Sequence, residues 1–181
     1  MPLFSSLQCQ GKSKTRSFIG LDGWGSYSVP KADIPHIKQL MADGSYTLEK
    51  RTVLPSSSAV NWASMFMGAG PELHGYTQWG SKTPELPSRV LNQHGIFPTI
   101  FQLLRDARPE AEIGCLYEWD GIKYLVDTLA LSHYAQAPDY NKHPEALCGM
   151  AESISRRNNR PFLPFALTTR PCRPSSRTQY S

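Results

Sequence analysis

Short apolar runs alternating with stretches of helical period most constrain the fold of this chain. Phe18-Ile19-Gly20-Leu21, Ile113-Gly114-Cys115-Leu116-Tyr117 and Phe162 to Leu167 each read as a short buried strand. Between them, apolar residues recur three and four positions apart. The first such stretch takes Asp33 as N-cap and Pro35 in its first turn, carries Ile37, Leu40 and Met41 on one face, and closes at Gly44. Ala59 to Met67 predicts a short buried helix stopped by Gly68 and Gly70. Pro98 to Arg105 predicts another, with Ile100, Phe101, Leu103 and Leu104 inward. Ile122 to Leu131 reads as a helix, and so does the segment from Pro144, with Leu147, Met150, Ala151 and Ile154 on its core face. Tyr46 to Leu54 is an extended connection, and Gly75 to Gln93, dense in turn residues, is a loop or lid. Strands alternating with helices imply an α/β protein: a parallel sheet flanked by helices on both faces.

In open sheets of this kind the working groups gather beyond the carboxyl ends of the strands. Asp22 falls at such an end, ahead of Gly23. The run Pro55-Ser56-Ser57-Ser58-Ala59-Val60-Asn61 falls at the start of the expected second helix. Each has an ordinary explanation, Asp22 as a turn residue and Ser58 as the N-cap of a helix beginning at Ala59. Their combination has a chemical one. A hydroxyl at a helix amino terminus meets unpaired N–H groups and the positive end of the helix dipole, which favour phosphate. Asn61 follows one turn later and can aim its amide at an oxygen held near Ser58. A metal ion at Asp22 would lower the pKa of the Ser58 hydroxyl and make it a nucleophile.

Composition narrows the alternatives. With 181 residues, 40% hydrophobic and 19% charged, the chain has the size and balance of one globular domain. No apolar stretch is long enough to span a membrane, and residues 1–17 lack the apolar centre of a secretory signal. The net charge of +4 is concentrated at the ends. Lys12, Lys14 and Arg16 precede the first strand without an acid, and Arg156, Arg157, Arg160, Arg170, Arg173 and Arg177 close the chain without one. All fifteen acids lie between, so a nucleic-acid surface spread over the fold is not expected. Cys9, Cys115, Cys148 and Cys172 show no metal-binding spacing; Cys115 reads as a buried thiol, and no disulfide framework is expected.

The motif Ile19-Gly20-Leu21-Asp22-Gly23, followed by Leu54-Pro55-Ser56-Ser57-Ser58-Ala59-Val60-Asn61 and Gly68-Ala69-Gly70-Pro71-Glu72-Leu73-His74-Gly75, resembles in order and spacing the alkaline phosphatase superfamily. The branch it is most similar to is the type I phosphodiesterase/nucleotide pyrophosphatase group. Asp22-Gly23-Trp24-Gly25 also resembles the opening of the cofactor-independent phosphoglycerate mutases, but their serine motif is absent. The arginine of the sulfatase frame is absent too. The resemblance implies Asp22 as a metal ligand, Ser58 as nucleophile and second ligand of the same metal, and Asn61 as the donor to a phosphate oxygen. It implies a structural role for His74. The activity implied is metal-dependent hydrolysis of a phosphodiester, pyrophosphate or phosphomonoester through a phosphoseryl intermediate. Two divalent cations, zinc by resemblance, serve the complete site, of which this chain carries at most one partial half. The partner is a small phosphate ester, and relatives are often exported.

The organisation expected is an irregular leader at 1–17, the amino-terminal part of an alkaline-phosphatase-like domain at 18–167, and a basic tail at 168–181. The remaining ligands of the resembled family begin in a Pro-Asp-His-x-Gly-His sequence after the strand at Phe162 to Leu167. This chain instead has Thr168-Thr169-Arg170-Pro171-Cys172-Arg173-Pro174. Read one base out of register, permitted codons for Thr169 to Ser175 can spell Pro-Asp-His-Val-Gly-His, so a frameshifted tail is the expectation. Impaired activity follows from it. The contrasting expectation is a non-catalytic module whose arginine-rich tail contacts nucleic acid or another anionic surface.

Overall fold

A computed structural model describes residues 16–138, 144–157 and 162–168. The leader and the tail named above lie outside the described residues, apart from their innermost positions. Four strands form one parallel sheet in the order β1-β4-β2-β3, with β1 at Phe18–Leu21, β2 at Glu112–Tyr117, β3 at His133–Gln136 and β4 at Phe162–Thr168. Gly114 of β2 pairs with His133 of β3 and with Pro164 of β4, and Leu21 pairs with Thr168. The helices are α1 (Pro35–Asp43), α2 (Ser58–Met67), α3 (Pro71–His74), α4 (Ile100–Ala107) and α5 (Pro144–Arg157).

Strand β2 organises the core because its alternate side chains face opposite layers. Ile113, Cys115 and Tyr117 join α2 and α4 in one buried cluster; Leu116 joins Leu147 of α5 in another, with Met150, Ala151 and Ile154 against it. Helices therefore cover both faces, as expected. In the larger cluster Trp62 and Phe66 stack at 5.8 Å, and Phe66 meets the Phe101 ring at 5.4 Å. The Cys115 thiol sits fully inside, and burial pushes its pKa up to about 12. Cys148 on α5 is disulfide-bonded, which the spacing of the cysteines gave no reason to expect.

Several elements differ from the sequence expectation, each for a local reason. Strand β1 is buried only at Gly20: it is one edge of the described sheet, and Ile19 is 67% exposed. Helix α1 buries none of its residues, and Leu40 is 70% exposed. Its N-cap is Ile34 rather than Asp33, since Pro35 itself occupies the first helical position. In α4 the apolar residues fill two stripes, and only the one with Phe101 and Leu104 can face the core. Ile100 and Leu103 stand exposed. The helix expected over Ile122 to Leu131 is two 3-10 turns, Asp120–Tyr124 and Thr128–Ala130. Asp127 breaks the segment by accepting the Leu129 N–H, yet Ile122, Leu125, Val126 and Ala130 are buried. Strand β3 was not expected, because His133-Tyr134-Ala135-Gln136 contains no apolar run.

Candidate active site

Asp22 stands one residue past β1, at the carboxyl edge of the sheet, and Ser58 opens α2. The two are 36 positions apart in sequence, and the Ser58 Oγ donates to Asp22 Oδ2 at 2.9 Å. The helix start lies one residue earlier than the capping expectation. Ser57 is the N-cap and Ser58 the first helical residue, which turns the Ser58 hydroxyl away from capping and toward the acid. The Trp62 indole Nε1–H, one turn further along α2, reaches the same carboxylate oxygen at 3.4 Å. One side of α2 thus presents two donors to one acid. Ser57 Oγ is buried and is the one buried side-chain atom among the described residues with no hydrogen-bond partner.

Asn61 is oriented by three groups whose roles are fixed by their chemistry. Its Oδ1 accepts from Thr52 Oγ1 at 2.7 Å and from the Val53 N–H at 3.4 Å, while its Nδ2 donates to the Ser57 carbonyl at 3.0 Å. A backbone N–H can only donate and a carbonyl can only accept, so the amide cannot be turned over without losing both. The structure brings Asp22 and Ser58 into contact and places Asn61 in the same first turn of α2, with its amide carbonyl committed to the approach segment. Thr52, which fixes that carbonyl, was missed by the sequence reading; nothing in a threonine six residues before a serine marks it.

His74, the last residue of α3, is fully buried and away from the acid. Its Nδ1 accepts the Tyr76 N–H at 3.1 Å, and its Nε2 lies 3.0 Å from Ser64 Oγ on α2. Burial lowers its pKa, with Glu72 pulling weakly the other way. The following segment, expected as a loop or lid, contains no helix or strand over 75–93. It is nonetheless tied down: Glu85 accepts from the Thr77 N–H, Thr77 Oγ1 and Ser81 Oγ, and the Arg89 N–H donates to the Leu73 carbonyl. Gly75 makes the turn at φ 86°, with the Leu86 carbonyl where a Cβ would stand.

A carboxylate and a hydroxyl converging on one point are suitable donors for a divalent cation. Among the described residues no group of three or more His, Cys, Asp or Glu side chains converges to complete such a sphere. Asp22 and Ser58 fit part of a metal site and no more.

In its fold the chain is similar to the alkaline phosphatase superfamily. A solved structure of a protein in that superfamily from Vibrio parahaemolyticus superposes with a TM-score of 0.59 at 15% identity, over 95% of this chain and 45% of that one. The chain therefore spans less than half the length of that relative. Residues 18–100 match the family model for type I phosphodiesterase / nucleotide pyrophosphatase, so the resemblance read from the three motifs is borne out where those motifs lie. No curated protein matches the chain. Among the described residues no helix is long and apolar enough to cross a membrane.

Proposed function

We propose that this chain carries the nucleophile half of a metal-dependent phosphate-ester hydrolase, with Ser58 as the attacking group. The observation that carries the reading is the 2.9 Å hydrogen bond from Ser58 to Asp22. It joins the carboxyl end of β1 to the first turn of α2. A turn aspartate and a capping serine have no reason to meet; an acid that orients a nucleophile does.

Asp22 holds the Ser58 O–H in one direction and leaves the oxygen lone pairs free to attack phosphorus. The amino terminus of α2 offers unpaired backbone N–H groups to the phosphoryl oxygens. Asn61 spends one N–H of its amide on Ser57 and keeps the second for a phosphate oxygen. Attack by Ser58 Oγ forms the phosphoseryl ester, expels the substrate alcohol or phosphate, and sends the serine proton to Asp22 or solvent. Water then cleaves the serine ester. A divalent cation bound at Asp22 and Ser58 would supply Lewis acidity that favours the serine alkoxide. Zinc is the cation the resemblance favours, and a diester or pyrophosphate is the favoured substrate. With two of the family's ligands present, weak turnover is expected.

The test is hydrolysis of bis(p-nitrophenyl) phosphate and p-nitrophenyl phosphate by the purified chain, with and without added zinc. Zinc-dependent release of nitrophenol that disappears in Ser58→Ala, with phosphate recovered on Ser58 by peptide mass spectrometry, supports the reading. Equal rates in the parent and Ser58→Ala would sink it.

A further inference from the structure

We propose that His74 is a positioning residue for Ser58: a neutral imidazole, protonated at Nε2, that ties the start of α2 to the segment following α3. The proposal rests on the reading of Ser58 as nucleophile and extends it to a residue that does not touch the site.

The proton positions follow from counting donors. Tyr76 contributes a backbone N–H, which can only donate, so His74 Nδ1 must accept. Ser64 Oγ gives its single proton to the Val60 carbonyl at 2.8 Å, so it must accept from His74 Nε2–H at 3.0 Å. The two requirements select the same tautomer. The result is one directed chain, from the Tyr76 N–H through His74 and Ser64 to the Val60 carbonyl, and it ends two residues after Ser58. At its other end Tyr76 is itself fixed, because its phenol donates to the Tyr124 carbonyl at 2.9 Å. The loop beyond β2 and the first turn of the nucleophile helix are thereby held in one register.

The relay works only with a neutral ring. An imidazolium would carry a proton on Nδ1 pointing at the Tyr76 N–H, and one bond would become a clash of donors. The surroundings disfavour that state. Glu72, on the same short helix, favours the charged ring. Against it α2 presents only the Ser64 hydroxyl, and the next segments present the rings of Tyr76 and Phe97 at 5.7 Å and 6.4 Å. The Ser88 hydroxyl is spent on the His74 carbonyl. Desolvation outweighs Glu72 and holds the ring neutral.

The experiment compares the full chain with Ser64→Ala, His74→Gln and His74→Asn. Gln can return a donor near the Nε2 position, and Asn can return an acceptor near Nδ1 alone. Trp62 is the reporter, since its indole N–H bonds Asp22 and its cross-peak in a nitrogen–proton spectrum senses that carboxylate without any turnover. Ser64→Ala should move the Trp62 indole peak while the peaks of Trp79 and Trp119 stay in place. Where zinc-dependent diester hydrolysis is measurable, it should lower kcat on the order of tenfold with KM little changed, as expected from a displaced nucleophile. His74→Gln should keep the parent Trp62 position more closely than His74→Asn. A protonated Nδ1 in the histidine nitrogen spectrum at neutral pH, or an unmoved Trp62 peak in folded Ser64→Ala, would overturn the proposal. An unmoved peak refutes this inference alone. A shifted peak with Ser58→Ala as active as the parent refutes the nucleophile reading and leaves the relay standing.

Discussion

The two halves of the candidate site stand on unequal ground. Ser58 belongs to a helix whose Ala59, Trp62, Ala63 and Phe66 are buried in one cluster with residues of α4 and β2. Asp22 stands one residue past a four-residue edge strand, and α1, the next α-helix along the chain, buries nothing. Ser58 is placed by packing, Asp22 by the backbone pairing of β1 to β4 and by two side-chain donors from α2. A side chain held by a core is costly to move. One held by an edge strand and two hydrogen bonds is not.

The comparison can be broken in stability measurements. Phe101→Ala, on the packed side, should cost about 3–5 kcal/mol in urea unfolding. A loss below about 1 kcal/mol would mean that the α2–α4 interface does not hold the Ser58 side. Gly75→Ala should cost about 1–3 kcal/mol from backbone strain alone, and more from contact with the Leu86 carbonyl. A neutral outcome would show that the segment after α3 is free to relax.

The pH dependence sharpens the same contrast. The folded-state pKa of His74 lies below its ordinary value of 6.5, so the unfolded chain takes up this proton first as pH falls. Stability contributed by the neutral ring is complete above that value and is lost as pH falls from 6.5 toward the folded pKa. The melting temperature should decline over that window, and His74→Gln should flatten the decline. A parent and variant with parallel profiles would show that the ring's proton is not what the packed side resists. The smallest effect belongs to the open side: Leu40→Ala should stay within about 0.5 kcal/mol. A larger loss would mean that α1 is covered in solution.

How much the sequence disclosed follows the same division. The buried elements were readable because burial writes a period: Ala59 to Met67, Ile113 to Tyr117 and the core face of α5 all appear where apolar spacing put them. Apolar residues at Ile37 and Leu40 carried the same period with no partner surface, and period alone cannot report that a face is left open. Strand β3 was invisible for the opposite reason, since its backbone pairing asks little of His133 or Gln136. At the candidate site, the sequence singled out Asp22 and Ser58, and the structure brings the two into contact. The Thr52 bond to Asn61 and the Ser64–His74–Tyr76 chain were not legible there, because they depend on proton directions that appear only once the backbone is in place.

The strand order carries a consequence for assembly. Strand β1 pairs only with β4 among the described strands, and these are the first and last strands along the described chain. Closing that contact requires the largest loop in the sheet, so its entropic cost falls late, after α2, α4 and β2 have their own contacts. On a ribosome β1 emerges well before β4 and waits for it. The meeting of Asp22 with Ser58 thus rests on a contact between strands far apart in the chain, whereas the core around Ser58 is built from elements closer together.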